Sequence, residues 1–223
     1  MNLVFCEFDG KLKKSAIELL GAAQRLGGST TAVLLGAGAG AVATEAAQYA
    51  QQVLVCEDAL LEPYSAKTMA QAIADLTAQT QSSRVLLAGS RMGRELAPRV
   101  AVRLDAPYLE DATALQSIDG GVQIQHYAYL ARVTETLEAV APVVVCTIKP
   151  NTQAVATPNA EVGAIDEAEL ELSASGVTVL ERTQEKSSRV ALTEASLVVT
   201  GGRGLGAPEQ FALIEGLADV LGA

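Results

Sequence analysis

Residues 2–35 read NLVFCEFDGKLKKSAIELLGAAQRLGGSTTAVLL. The mostly apolar run at 2–8 has the length of a buried strand. DGK follows as a turn. Ala16, Leu19, Leu20, Ala23 and Leu26 then recur at spacings 0, 3, 4, 7 and 10, which puts them on one face of a helix. Ser15 and Glu18 have the capping-box spacing at its start, and Gly27-Gly28 punctuates its end. TTAVLL, residues 30–35, is a second apolar strand. A strand, a helix and a strand at this spacing form one crossover unit of a parallel sheet.

The same alternation continues outward. Residues 42–49 read as a short helix, QVLVC as a third strand, and Ala66, Met69, Ala70, Ile73 and Leu76 stripe the next helix. RVLLAG is a fourth strand, and GRELAPRVAVRL a further helix with Pro98 expected near the end of its first turn, where a missing donor costs little. After Ala106 the pattern changes. TALQSI, VQIQHYAYL and ARVTETL follow closely, with no helix between them, and PVVVCTI reads as another core strand. The fold class is therefore α/β: a three-layer α/β/α sandwich with a mainly parallel sheet, plus a small antiparallel section around residues 112–140. IKPNTQAVATPNAEVGA reads as an extended arm. DEAELELS is an acidic strand or short helix whose alternating acids suit a solvated face. GVTVLERT is a further strand, and EKSS at 185–188 a linker. Two domains are expected, 1–185 and 186–223.

Composition limits the function. Hydrophobic residues make up 49% of the 223, with no Trp, and the formal net charge is -10. A general nucleic-acid or anionic-membrane binder needs a basic face, so both classes are excluded. No apolar run approaches a membrane span, and MNLVFCEFDG carries acids where a secretory leader is basic. Cytoplasm or an organelle matrix is the expected location. Cys6, Cys56 and Cys146 are far apart and lie in or beside apolar runs, as buried free thiols do.

Two glycine-rich turns could carry chemistry. In LLGAGAGA, Gly36, Gly38 and Ala41 match the dinucleotide pattern, with Glu57-Asp58 about 20 residues on. The turn follows the second strand rather than the first, and Gly/Ala alternation meets such patterns by chance. The second turn is GGRGLGAPEQ. Gly201, Gly202, Gly204 and Gly206 permit close backbone approach, Pro208 suits a first helical position, and the helix start offers unpaired N–H groups. Arg203 adds a forked cation suited to phosphate. An anion site and a solvated turn stand level on the residues alone. His126, the single histidine, sits in a strand pattern without a nucleophile nearby in sequence. Arg91 and Arg94 open a helix and could bind an anion, touch a partner or be solvated. No catalytic constellation is present.

Several segments resemble one family. LVVTGGRGLGAPEQFALIEGLADVLGA is similar to the part of electron transfer flavoprotein alpha subunits in which a strand ends in V-x-x-G-G-R-G and enters a helix. VLLAGSRMGRELAPRVAVRLDAPYLEDATAL resembles the family's A-G-x-x-x-G-x-x-L-x-P-R-V-A segment. NLVFCEFDGKLKKSAIELLGAAQRLGG resembles its opening strand and helix, and VQIQHYAYLARVTETLEAVAPVVVCTIKPN its antiparallel stretch and following strand. The resemblance implies an electron carrier rather than an enzyme. It would be an alpha subunit that pairs with a beta subunit and passes electrons from flavin dehydrogenases, typically acyl-CoA dehydrogenases, to a quinone oxidoreductase through FAD.

It also implies that residues 186–223 open a flavin domain. Arg203 would lie near the FAD phosphates, and Gly201, Gly202 and Gly204 would let the loop approach. The family's later segments, reading Gly-Ala-Ser-Arg, Gly-Gln-Thr-Gly and Ile-Gln-His, are missing, so a further piece on the order of 100 residues is expected. One Arg and one turn are too few contacts for these 223 residues to hold flavin alone. The first domain is expected to be scaffold and interface. The alternatives are a nucleotide-binding α/β module using Gly36–Ala41 and a short interaction protein without flavin.

Overall fold

The computed structural model describes residues 1–181, 183, 192, 195 and 197–223. They fall into two compact units, Met1–Val179 and Leu180–Ala223. The expected linker at 185–188 lies outside the described residues.

The first unit is built on a seven-stranded, wholly parallel sheet. Strands β1 (Asn2–Phe5), β2 (Thr30–Leu35) and β3 (Gln52–Cys56) run outward to one side. Strands β4 (Arg84–Ala88), β9 (Val144–Ile148) and β5 (Tyr108–Ala112) lie on the other side of β1. A short β10 (Ala164–Glu167) adds the far edge beside β3. Side chains alternate across each strand and divide the interior into two cores. Val4, Ala32, Leu34, Leu86 and Cys146 face helices α1 (Lys14–Leu26) and α2 (Ala39–Ala46). Leu3, Phe5, Val33, Val85 and Leu87 face α3 (Ala66–Gln79) and α4 (Arg91–Arg103). These are the three expected layers. A separate antiparallel sheet of β6 (Ala114–Ile118), β7 (Gly121–Ala128) and β8 (Val133–Val140) packs Val122, Ile124 and Ala139 onto the α1 side. All three cysteines are buried and free, and burial pushes the Cys6 and Cys146 thiols up to about 12.

The structure corrects several local expectations. The first strand ends at Phe5, and Phe8 instead bridges to Leu12 across a tight turn. There is no capping box, because helix α1 starts at Lys14 and Ser15 already lies inside it. Glu18 is buried instead and accepts the Asn151 amide at 2.8 Å, so it ties the arm after β9 to the helix. Helix α2 covers Ala39–Ala46 rather than 42–49. Pro98 sits well inside α4, since Ser90 caps that helix one residue before Arg91. Strand β5 was not singled out by its sequence. Only Leu109 and Ala112 of its five residues are buried, and its register shifts between them. Residues 177–181 and 197–200 form no strand. Their neighbours supply no ladder among the described residues, and an unpaired strand has nothing to hold it.

The expected arm is an extended strap with built-in seats. It crosses α1 at Gly21, where an added Cβ would meet the Ala154 carbonyl oxygen at 2.4 Å. Ala156 donates to the Ile17 carbonyl and Gln24 to Thr157 before the chain reaches β10. Beyond β10, Ala168, Leu170 and Leu172 pack on the α3 side while Glu169 and Glu171 face water. The alternating acids are thus the solvated side of a half-buried extended segment.

Candidate functional site

In open parallel sheets a ligand crevice forms beyond the strand ends where the order of strands reverses. Here the chain leaves β1 for β2 and β3 and returns on its other side as β4, so that point lies between the ends of β1 and β4. Glu7 follows β1 and Ser90 follows β4. Glu7 is 5% exposed and accepts from the Ser90 hydroxyl and, at 3.1 Å, from Lys13 Nζ. The Ser90 oxygen in turn accepts the Gly93 amide at 2.9 Å as the cap of α4. Arg94 does not reach for a ligand, because it pairs with Asp111 at 2.7 Å. Arg91 is exposed at the helix start. A carboxylate, an ammonium and a hydroxyl therefore fill the crevice and satisfy one another.

The first glycine turn is occupied in the same way. Gly36 (φ 101°) and Gly38 (φ 82°) adopt left-handed backbone and lead into α2. The Gly40 amide, at the start of that helix, donates to Glu57 Oε1 at 3.1 Å. A carboxylate of the protein thus takes the place where a nucleotide phosphate would bind. Asp58, Glu167 and Glu169 line the same hollow and repel a further anion. The acid 20 residues on is real, but it works as a helix cap and not as a ribose ligand. Glu57→Ala should cost about 1 kcal/mol of stability in urea unfolding, as cap removal does. It should confer no binding of AMP or NADH by calorimetry.

The second turn has a different character. Gly201 is packed tight: a Cβ there would lie 2.5 Å from Leu205 Cδ1 and 2.9 Å from Ile214 Cγ1. Arg203–Leu205 is a single 3-10 turn closed by Gly206 (φ 81°). It runs through a second short turn, with Pro208 in its first position, into α5 (Phe211–Leu221). Added Cβ atoms at Gly202 and Gly204 would meet nothing within 4 Å, and Arg203 is exposed between them. One side of the turn is therefore anchored on α5, and the other is open backbone beside a guanidinium. Those groups fit a phosphate. Little else here fits a flavin ring: of the α5 stripe, Ala218 is buried and Ile214 half-buried, while Phe211, Leu217 and Leu221 stay about half exposed.

The remaining candidates are structural. His126 Nε2 pairs with Glu135 at 3.0 Å across β7 and β8. Among the described residues no cluster of His, Cys, Asp and Glu could hold a metal ion, and no helix is long and apolar enough to cross a membrane.

A family model described as "Electron transfer flavoprotein domain" matches residues 2–173. The chain is 29% identical over 219 residues to the electron transfer flavoprotein subunit alpha of Bacillus subtilis, covering 96% of this chain and 67% of that protein. It is 32% identical over 218 residues to the subunit of the same name from Syntrophomonas wolfei, covering 96% and 68%. A probable mitochondrial electron transfer flavoprotein subunit alpha from Caenorhabditis elegans is 30% identical over 226 residues, covering 100% and 67%.

Proposed function

The chain belongs to the electron transfer flavoprotein family, as an alpha-type subunit, and from that premise we propose how its two units divide the work. The observation that carries the reading is the reach of the similarity. It runs through both units to the Arg203 turn and covers 96 to 100% of the chain.

The first unit, with the domain taken as 1–185, is scaffold and interface. Its crevice and its first glycine turn are filled by Glu7, Lys13, Ser90 and Glu57, which supports a role without a nucleotide of its own. Residues 186–223 open the flavin-holding domain. Arg203 binds the FAD phosphates there, and Gly201, Gly202 and Gly204 shape the approach. FAD, when bound, supplies the redox chemistry through its isoalloxazine. These residues contribute position and charge only, so the subunit is a carrier and not an enzyme. It works beside a beta-type subunit. Its donors are flavin dehydrogenases of the acyl-CoA dehydrogenase kind, and its acceptor is a quinone oxidoreductase. It resides in the cytoplasm or an organelle matrix.

Native mass spectrometry of the complex purified from its own host tests this. The expected species is an alpha chain with a beta-type subunit and FAD, while the 223 residues alone are colourless. A complex without flavin would overturn the carrier reading and favour the flavin-free interaction protein.

A further inference from the structure

The turn that carries Arg203 is tied to its helix by one small apolar contact. Four of the six residues at 201–206 are glycine, and glycine backbone is the freest of any residue. Added Cβ atoms at Gly202, Gly204 and Gly206 would meet nothing within 4 Å, so the turn stands in open space at those positions. The backbone bonds that close it are all local. Leu205 donates to Gly202 at 3.0 Å, Gly206 to Arg203 at 3.1 Å and Ala207 to Leu205 at 3.0 Å. Such bonds shape the turn, but they do not fix its direction against α5.

Leu205 and Ile214 supply that direction. Both crowd the Cβ position of Gly201, Leu205 Cδ1 at 2.5 Å and Ile214 Cγ1 at 2.9 Å. Leu205 is half-buried, while every other residue of 201–210 is exposed. The covered side of α5 is the matching one. Ala218 is buried and Ile214 half-buried, whereas Leu213 is 67% and Leu217 49% exposed. The side chain two residues after Arg203 therefore closes on the helix over Gly201, where only a glycine leaves room for it.

An anchored loop binds better than a free one. A guanidinium on a mobile glycine turn loses conformational freedom when it grips an anion, and a turn already held in place loses less. We infer that Leu205 and Ile214 are positioning residues for the FAD phosphates: they hold the Arg203 turn in its binding orientation from the side that the ligand does not reach. This rests on the Arg203 reading above.

The test is a double-mutant cycle in the complete alpha chain paired with its beta-type subunit, read as the dissociation constant for FAD. Arg203→Ala sets the scale. Ile214→Ala and Leu205→Ala should each weaken FAD binding about tenfold, the loss of a preorganised grip. Ile214→Val keeps a branched side chain over Gly201 and should stay within about twofold of wild type. Arg203→Ala combined with Ile214→Ala should bind as weakly as Arg203→Ala alone, because a guanidinium that is absent cannot also be misplaced. A residue that only stabilised the domain would add its full loss to that of Arg203→Ala. Leu205→Ala leaves α5 itself unchanged and gives the same reading if Ile214→Ala fails to fold. Wild-type affinity in Leu205→Ala and Ile214→Ala, or losses that multiply in the double variant, overturns the positioning role and leaves Arg203 in place. Wild-type affinity in Arg203→Ala overturns the phosphate reading and the positioning role with it.

Discussion

Gly93→Val is expected to leave the first unit without a stable fold. A Cβ at Gly93 would lie 1.9 Å from the Ala88 carbonyl oxygen, inside any allowed contact. Neither partner can yield. Ala88 is the last residue of β4 and is in register with Ile148 of β9, and the next amide, Gly89, donates to Ile148 at 2.6 Å. Gly93 is held by its own amide, which caps on Ser90, and Ser90 is held by Glu7. Relief would have to come from lifting α4 off the sheet, and that exposes Leu96, Ala97 and Val100 from a core in which they are fully buried. Overpacking where the surroundings can adjust costs about 1–3 kcal/mol, so a fixed backbone contact should cost about 4 kcal/mol or more. That is a large part of the ~5–15 kcal/mol that holds a domain together. Urea unfolding followed by circular dichroism reads it directly, and Gly93→Ala should show a smaller loss of the same sign. Gly216→Ala is the control. Nothing lies within 4 Å of its Cβ position in α5, and helix propensity predicts a gain there. Wild-type stability in Gly93→Ala would show that the helix and strand are not in contact as described.

The same glycine shows how far the sequence could be read. The A-G-x-x-x-G spacing was visible as a resemblance, but its cause was not. Gly89 admits Asp111 and the Ile148 carbonyl, and Gly93 admits the end of β4. Both causes are contacts with other strands, which local pattern does not encode. The layers were legible for the opposite reason: Leu3, Val4 and Phe5 are uniformly apolar because β1 is buried on both faces. Polar side chains are less legible, because their partners need not be their neighbours in sequence. Glu18 has the capping-box spacing to Ser15 but serves Asn151, 133 residues away. Glu57 stands at the spacing of a ribose ligand in a pattern that Gly/Ala alternation also meets by chance, and it caps α2. Strand β5 escaped because a central neighbour, β9, holds a segment whose own sequence alternates poorly. At the second turn, the glycines and Arg203 could be named from sequence. Which glycine is packed and which is open could not, because Leu205 and Ile214 decide it.

Arg203→Ala, made in the complete alpha chain paired with its beta-type subunit, is expected to weaken flavin retention by about ten- to a hundredfold, the loss of one or two charge-assisted hydrogen bonds to phosphate. Three features of the turn make the change clean. The Arg203 side chain is exposed, so its removal leaves no hole. The turn is closed by backbone bonds, Leu205 to Gly202 at 3.0 Å and Gly206 to Arg203 at 3.1 Å, which alanine keeps. Its anchor on α5 is the contact of Gly201 with Leu205 and Ile214, in which Arg203 has no part. Thermal unfolding of the 223 residues should therefore be unchanged while the pair loses flavin on gel filtration. Arg203→Lys separates charge from geometry. It keeps the cation but not the planar fork, so it should fall between alanine and wild type, and closer to alanine if two phosphate oxygens are gripped together. Gly202→Val probes the open side of the turn independently. Its backbone is extended (φ -127°) and its Cβ position is empty, so the free chain should tolerate it. The flavin-loaded pair should not, because the added side chain would stand on the side of the turn proposed to receive the phosphate. Flavin retention at the wild-type level in both Arg203→Ala and Gly202→Val would place the FAD phosphates elsewhere and reduce this turn to a connection between strand and helix.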